Sequence, residues 1–262
     1  MLFPVLHLLL TVPSVATPDP LPGERIIRAA YAMYRGKCSR TATLVQRTVL
    51  PLERRVETWY VTIKQPGLVR VDVAPGVTGR ALIYRSDSTY DFGRGRLRGQ
   101  TAGVLPLYTL LRDLRCQAPA KTIATLTRYG FDLSRVHETT WEHQSIVVVG
   151  ARDGDSTSNQ FWLQKSHYLL MRLIENNASD PGRPLDARVG AYQRAGGDWI
   201  EQSVRLYLGG TLTTAEDYTD IKIDPGLDTD VFEPVPYALP KWVGAAPDRF
   251  GGVPNSIPRP PQ

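Results

Sequence analysis

Two cysteines and four histidines are all that this 262-residue chain offers to thiolate or imidazole chemistry. Cys38 and Cys116 stand far apart with no C-x-x-C pair, which excludes a cysteine-built metal site. The densest histidine cluster is His137-Glu138-Thr139-Thr140-Trp141-Glu142-His143. A zinc-binding H-E-x-x-H would need His where Trp141 stands, and the inverted form would need His where Thr139 stands. Both matches fail, so the segment reads as a polar strand edge. No G-x-S-x-G elbow and no phosphate-binding loop occurs. Gly93–Arg98 lacks the third glycine of a dinucleotide fingerprint and is not followed at once by a helix. Asp153–Asn159 begins like a calcium loop, but Thr157 and Ser158 replace a ligand and the obligatory glycine, leaving an ordinary turn. No nucleophile has a base beside it. These absences argue against an enzyme, and neither metal nor cofactor is expected.

Long hydrophobic runs are also missing. Leu2–Val12 is almost wholly apolar but too short to span a bilayer, and Pro4 and Pro13 interrupt it. Ser14-Val15-Ala16 supplies the small residues that a signal peptidase reads, so residues 1–16 are expected to be a cleaved signal peptide, although no Lys or Arg precedes the apolar run. That implies secretion. No Cys follows the cleavage site, so a soluble mature chain without a lipid anchor is expected, with no stable membrane span. An oxidising compartment allows Cys38 and Cys116 to form a disulfide, but sequence does not place them within bridging distance. Net charge is a mild +5. It favours solubility, and leaves room for acidic partners or anionic membrane surfaces. Nucleic acid is not an expected partner.

What the chain has is β-forming residues with turn punctuation: Gly 22, Pro 21 and 42% hydrophobic residues. The clearest stretch is Thr58–Val73. Trp59, Val61 and Ile63 alternate with Tyr60, Thr62 and Lys64, and Val69, Val71 and Val73 alternate with Arg70 and Asp72. Period two puts one set on each face of a sheet. Pro66-Gly67 between them suits a type II turn. Further strands are expected at 43–49, 81–84, 89–92, 144–151, 159–163, 168–175, 187–194, 199–208 and 218–224. Near the N-terminus Ile26, Ile27, Ala30, Met33 and Tyr34 recur at helical spacing, with Gly36 suited to end the helix. In mid-chain Leu107, Leu110, Leu111 and Leu114 do the same, followed by a second short helix from Pro119 to Tyr129.

The expected fold is therefore mainly β with a few helices. It is a large, curved, mostly antiparallel sheet or partial barrel of about ten or eleven strands, with an N-terminal helix and a mid-chain helical pair at about 105–130 that can cover it. Residues 17–23 form a Pro-rich lead-in, 24–234 the domain, and 235–262 a Pro-rich tail read as extended or disordered. Arg94, Arg96 and Arg98 form an exposed basic loop, a candidate partner contact.

Several phrases resemble the LolA family, the periplasmic carriers of outer-membrane lipoproteins. They are Leu44-Val45-Gln46, then Trp59–Arg70 with its Trp, Ile-Lys and Pro-Gly, then Val73-Ala74-Pro75 and Leu82–Tyr90. Gln160-Phe161-Trp162-Leu163, Leu170–Leu173 and Val231-Phe232 extend the likeness, and the order of elements agrees over about residues 24–234. Val71 departs from the family's aromatic, Ser86-Asp87-Ser88 replaces its Asp-Gly turn, and the lid is longer. The resemblance implies an unclosed half-barrel with a helical lid at about 105–130, a monomeric carrier that holds lipoprotein acyl chains or lipid in an apolar cavity. It also implies an inner-membrane release complex and an outer-membrane receptor as partners. The implied cavity lining is Trp59, Val61, Ile63, Val69, Val71, Val73, Ile83, Leu107, Leu110, Leu111, Leu114, Phe161 and Leu163. The alternative is a sensor or interaction domain of the same fold that binds polypeptide.

Overall fold

The computed structural model describes residues 19–252 apart from 86, 177–179, 181, 229 and 245. The expected signal peptide, at residues 1–16, lies outside them. Helix α1 (Pro22–Tyr34) leads into β1 (Thr41–Leu50), β2 (Arg55–Lys64), β3 (Leu68–Val73), β4 (Arg80–Arg85), β5 (Ser88–Gly93) and β6 (Arg96–Ala102). The lid follows as a single turn, α2 (Pro106–Tyr108), which widens into a π-helical turn (Thr109–Asp113), and then α3 (Pro119–Arg128). The chain returns as β7 (Val136–Trp141), β8 (Gln144–Val149), β9 (Gln160–Gln164), β10 (Leu170–Glu175) and β11 (Leu185–Gly190). A small hairpin, β12 (Gln193–Ala195) and β13 (Asp198–Ile200), precedes β14 (Ser203–Leu208), β15 (Thr211–Ile223) and the short helix α4 (Lys241–Gly244).

All strands but that small hairpin form one 13-stranded sheet, ordered β6-β5-β4-β3-β2-β1-β15-β14-β11-β10-β9-β8-β7. Each of its strand pairs is antiparallel, and the sheet ends on β6 and β7 without closing into a barrel. The count exceeds ten or eleven because both outermost strands lack a hydrophobic rhythm. Every residue of β6 is exposed, and no residue of β7 is fully buried. β6, exposed throughout, has no reason to alternate, and β7 is anchored mainly at its ends by Val136 and Trp141, so period two reveals neither strand.

The two faces have different covers. On one, Leu44, Val61, Ile63, Val69, Val71, Val147, Val149, Phe161 and Leu163 share a continuous core with Ile27 and Ala30 of α1 and with Leu110, Leu111, Leu114 and Leu126. Helix α1 lies so close to the sheet that a Cβ on Gly23 would sit 2.7 Å from a Val149 methyl on β8 and 2.8 Å from the Leu133 carbonyl, which receives the Gly23 N–H at 2.8 Å. Only glycine fits there.

The other face is covered by the chain's own C-terminal segment. Tyr60 stacks edge-to-face on Trp242 with centroids 5.5 Å apart, and its hydroxyl donates to the Pro247 carbonyl at 2.5 Å. The Trp242 indole N–H reaches Thr62 at 3.1 Å, and Thr58 donates to Asp248 at 2.7 Å. Val243 is completely buried against Val45, Tyr60 and Ala74. Nearby, Arg70 makes a forked pair with Asp72 at 2.8 and 2.9 Å and donates to the Val231 carbonyl at 2.8 Å, while Tyr237 lies across its guanidinium. The described residues among 237–252 thus dock on the sheet, with a short helix at Lys241–Gly244, where the expectation was an extended or disordered tail. Proline content signals lack of regular structure; it does not signal lack of packing.

The turn at Pro66-Gly67 also differs from expectation. Ile63 pairs with Val69 and Lys64 with Leu68, so Gln65-Pro66-Gly67 form a three-residue connection with a cis Gln65-Pro66 peptide bond. Gly67 keeps the positive φ, +79°, that glycine tolerates best.

Truncation of Val243 tests whether the C-terminal segment is part of the fold. Val243→Ala should lower the unfolding free energy by about 2 kcal/mol, read as a lower urea midpoint with unchanged slope. An unchanged midpoint would mean that the segment adds nothing to stability.

Candidate functional site beneath the helical lid

The lid packs on the middle of the sheet. Thr109 to Asp113 are all buried, so this segment has no solvent face. Of the residues expected to line a cavity, Val61, Ile63, Val69, Val71, Leu110, Leu111, Leu114, Phe161 and Leu163 meet in one cluster, with Trp59 and Leu107 half-buried at its margin. Val73 is buried opposite Trp59 but lies outside that cluster. Ile83 is on the wrong face. Its partner across the ladder is Arg70, and it packs with Ala81, Phe92 and Tyr237 under the C-terminal segment. Leu82 and Tyr84, paired with Val71 and Val69, take the lid-facing positions instead. Ala81-Leu82-Ile83-Tyr84 is apolar on both faces, so only the register with β3 separates them.

Polar and covalent ties hold the lid down. Arg112 forks onto Glu201, with one N–H···O contact of 2.9 Å, and both side chains are buried. Arg115 pairs with Asp198 at 3.1 Å and donates to the Trp199 carbonyl at 3.0 Å. Asp113 Oδ1 accepts the Gly67 N–H at 2.9 Å, which fixes the lid to the β2–β3 turn. Cys38 and Cys116 are joined by a disulfide with Cα atoms 5.7 Å apart, tying the end of the π-helical segment to the α1–β1 connection. At the other end Val104 N–H donates to the Tyr129 hydroxyl at 2.7 Å. Buried ion pairs add little net stability, but losing one partner costs about 3–5 kcal/mol because it strands the other charge. They select one lid position over its alternatives.

The sequence offers Cys38 and Cys116 as a possible disulfide but does not reveal the polar ties. The leucine periodicity accounts for one face of the segment only, and Glu201, Asp198 and Gly67 lie far from it in sequence.

Acidic groups under and beside the lid are poorly solvated. Desolvation pushes Asp113 up to about 6, against the Gly67 hydrogen bond that favours its charged form. Desolvation likewise pushes Glu216 up to about 7, with Glu201's charge adding to the rise and the Tyr218 hydroxyl, 2.5 Å away, opposing it. Tyr84, whose ring meets Tyr108 edge-to-face at 4.9 Å, is pushed up to about 12 by burial.

The space left between lid and sheet is small. A cleft bordered by Ile63, Val69, Tyr84, Leu105, Tyr108 and Asp113 has a cavity volume of about 40 Å³. Pockets that enclose drug-sized ligands run to roughly 300–1,000 Å³. The lid is closed, its own leucines occupying the apolar surface. Away from it, Arg94, Arg96 and Arg98 border an open groove of about 690 Å³ together with Gly93.

This architecture is shared with solved structures. A DUF1329 family protein from Desulfovibrio piger superposes with a TM-score of 0.54 at 14% identity, covering 82% of this chain and 98% of that one. An outer membrane lipoprotein-sorting protein domain from Vibrio parahaemolyticus gives 0.53 at 13% identity, covering 80% and 96%. A LolA superfamily protein from Nitrosomonas europaea gives 0.48 at 15% identity, covering 81% and 98%. No protein-family model matches the chain, and no curated protein matches it by sequence. The chain shares the fold of the first two of these structures, a large unclosed antiparallel sheet with a few helices. Fold likeness at this identity leaves ligand and partner to be argued from the site. Among the described residues, no helix is long and apolar enough to cross a membrane.

The carboxylates set a pH dependence with a definite sign. Asp113 and Glu216 start from 3.8 and 4.5 and hold their protons more tightly when folded. Their stabilising contribution is complete below about pH 4 and is lost as pH rises through about 6 to 7. Glu175, pushed up to about 7 by burial, acts in the same direction. Glu216→Gln should raise the melting temperature at pH 8 and flatten its decline between pH 5 and pH 8. A variant that melts lower than the parent at both pH values would show that Glu216 is stabilising as a carboxylate.

Proposed function

We propose that this chain is a non-catalytic periplasmic binding protein that carries lipid, or the acyl chains of lipidated proteins, on the apolar surface now covered by its lid. One observation carries the reading: a continuous apolar sheet face is covered by a short helical segment held in place by polar and covalent ties. Opening would expose Val61, Ile63, Val69 and Val71 on the sheet and Leu110, Leu111 and Leu114 on the lid. An acyl chain would then replace one apolar cover with another. Each buried CH₂ contributes about 0.8 kcal/mol, which offsets the lost leucine contacts, so the polar ties decide when the lid moves. A binding role is further supported by the similarity of fold to a lipoprotein-sorting domain. It also accords with the ordinary structural use of His137, whose ring nitrogen lies 3.1 Å from the Ala151 carbonyl.

Mass spectrometry of protein taken from its native periplasm without detergent should reveal a bound acyl ligand. Delipidated protein should bind a fluorescent fatty acid at saturable stoichiometry. Finding neither would sink the carrier reading. Glu201→Gln weakens the hold on Arg112 and should speed probe uptake at least several-fold while lowering the melting temperature. A lower melting temperature with unchanged uptake would make the pair structural only.

A further inference from the structure

The lid-facing surface does not account for the sheet's β6 edge. Arg96-Leu97-Arg98-Gly99-Gln100-Thr101-Ala102 is exposed at every residue, and β6 pairs with β5 alone. In an antiparallel strand alternate residues turn their N–H and C=O groups away from the partner, so an outermost strand presents a row of open hydrogen-bonding groups. The β5–β6 register shifts between Asp91 and Phe92, leaving Arg98 as the extra residue between Leu97 and Gly99. Arg94 stands in the turn at a φ of +55°. The result is that Arg94, Arg96 and Arg98 converge on one open groove.

These arginines differ from their neighbours. Arg80 pairs with Glu57 at 3.0 Å and Arg85 with Glu233 at 2.7 Å. Among the described residues, Arg94, Arg96 and Arg98 take part in no ion pair. A planar guanidinium is built to take a carboxylate with two parallel hydrogen bonds. An open backbone edge flanked by unpaired guanidiniums is complementary to an extended chain that carries acidic side chains. An anionic bilayer would match the charges but would leave the backbone row unused.

We propose that β6 and the Gly93–Arg98 turn form a docking edge for an acidic, extended polypeptide segment of a partner protein, which adds as a further strand beside β6. The position has a mechanical sense. The chain passes from Ala102 through Gly103, Val104 and Leu105, which border the closed cleft, directly into the lid. A strand added at β6 would lie beside the point where the lid begins. This inference stands apart from the acyl-chain reading, because it concerns a different surface and holds whether or not lipid binds.

The test uses the full chain and a dye-labelled octapeptide of alternating Glu and Thr, followed by fluorescence anisotropy. Saturable binding is expected in 50 mM salt, weakening as salt is raised. Changing Arg94, Arg96 and Arg98 together to Gln should weaken binding at least tenfold with an unchanged melting temperature, since all three side chains are exposed. The same peptide methylated on alternate backbone nitrogens should also bind at least tenfold more weakly, and a Lys–Thr peptide should not bind. Three results would overturn the proposal. One is no binding of the Glu–Thr peptide at millimolar concentration. A second is equal binding of the methylated peptide, which would reduce the site to charge attraction. The third is arginine-dependent binding to phosphatidylglycerol vesicles without peptide binding, which would make the edge a membrane contact.

Discussion

The architecture depends on one pairing, β1 against β15. Ala42 lies opposite Ile223 and Val49 opposite Ala215, so residues from the two ends of the domain share a ladder. Strands β1 to β6 form one run of successive hairpins, and β7 to β11 form another. Strand β14 attaches to the second run and β15 joins it to the first. Closing a loop of more than 170 residues costs conformational entropy, but that cost rises only with the logarithm of length. What the join provides is a single sheet wide enough to give the helices one continuous face. Without it, β1 would be an edge and the core would be split between two smaller sheets.

The two faces then take different kinds of cover. The C-terminal segment binds its face through aromatic stacking, hydrogen bonds to Thr58 and Thr62, and the buried Val243. The lid meets its face through leucines, and its position is chosen by Arg112, Asp113 and Arg115. Apolar contacts are non-directional and would accept many placements of those leucines. Charge pairs with fixed geometry accept few. The closed state is therefore apolar in substance and polar in specification.

How much of this was legible depended on burial. The Trp59–Val73 hairpin declared itself because both strands are packed, so period two is imposed on the sequence, and Val61, Ile63, Val69 and Val71 could be assigned to one face. β6 left no such trace because an open edge imposes no alternation, and β7 showed only as a polar strand edge. Ile83 was misplaced for the opposite reason: β4 is apolar toward both the lid and the C-terminal segment, and parity is lost when both faces are buried. The docked residues 237–252 were hidden by their prolines. The polar ties of the lid were beyond sequence reading, because Arg112 meets Glu201 only after the sheet has formed.

The disulfide between Cys38 and Cys116 has a topological consequence. It closes a covalent ring across a sequence separation of 78 residues, and that ring contains β1 to β6 together with α2 and the π-helical turn. The segment of the lid from β6 to Cys116 is then anchored at both ends, by the strand that feeds it and by the bond that terminates it. Such a span can arch or slide, but it cannot swing free as a flap with one hinge. On the carrier reading, a ligand entering beneath it would pass sideways under a bridge that keeps the same two footings.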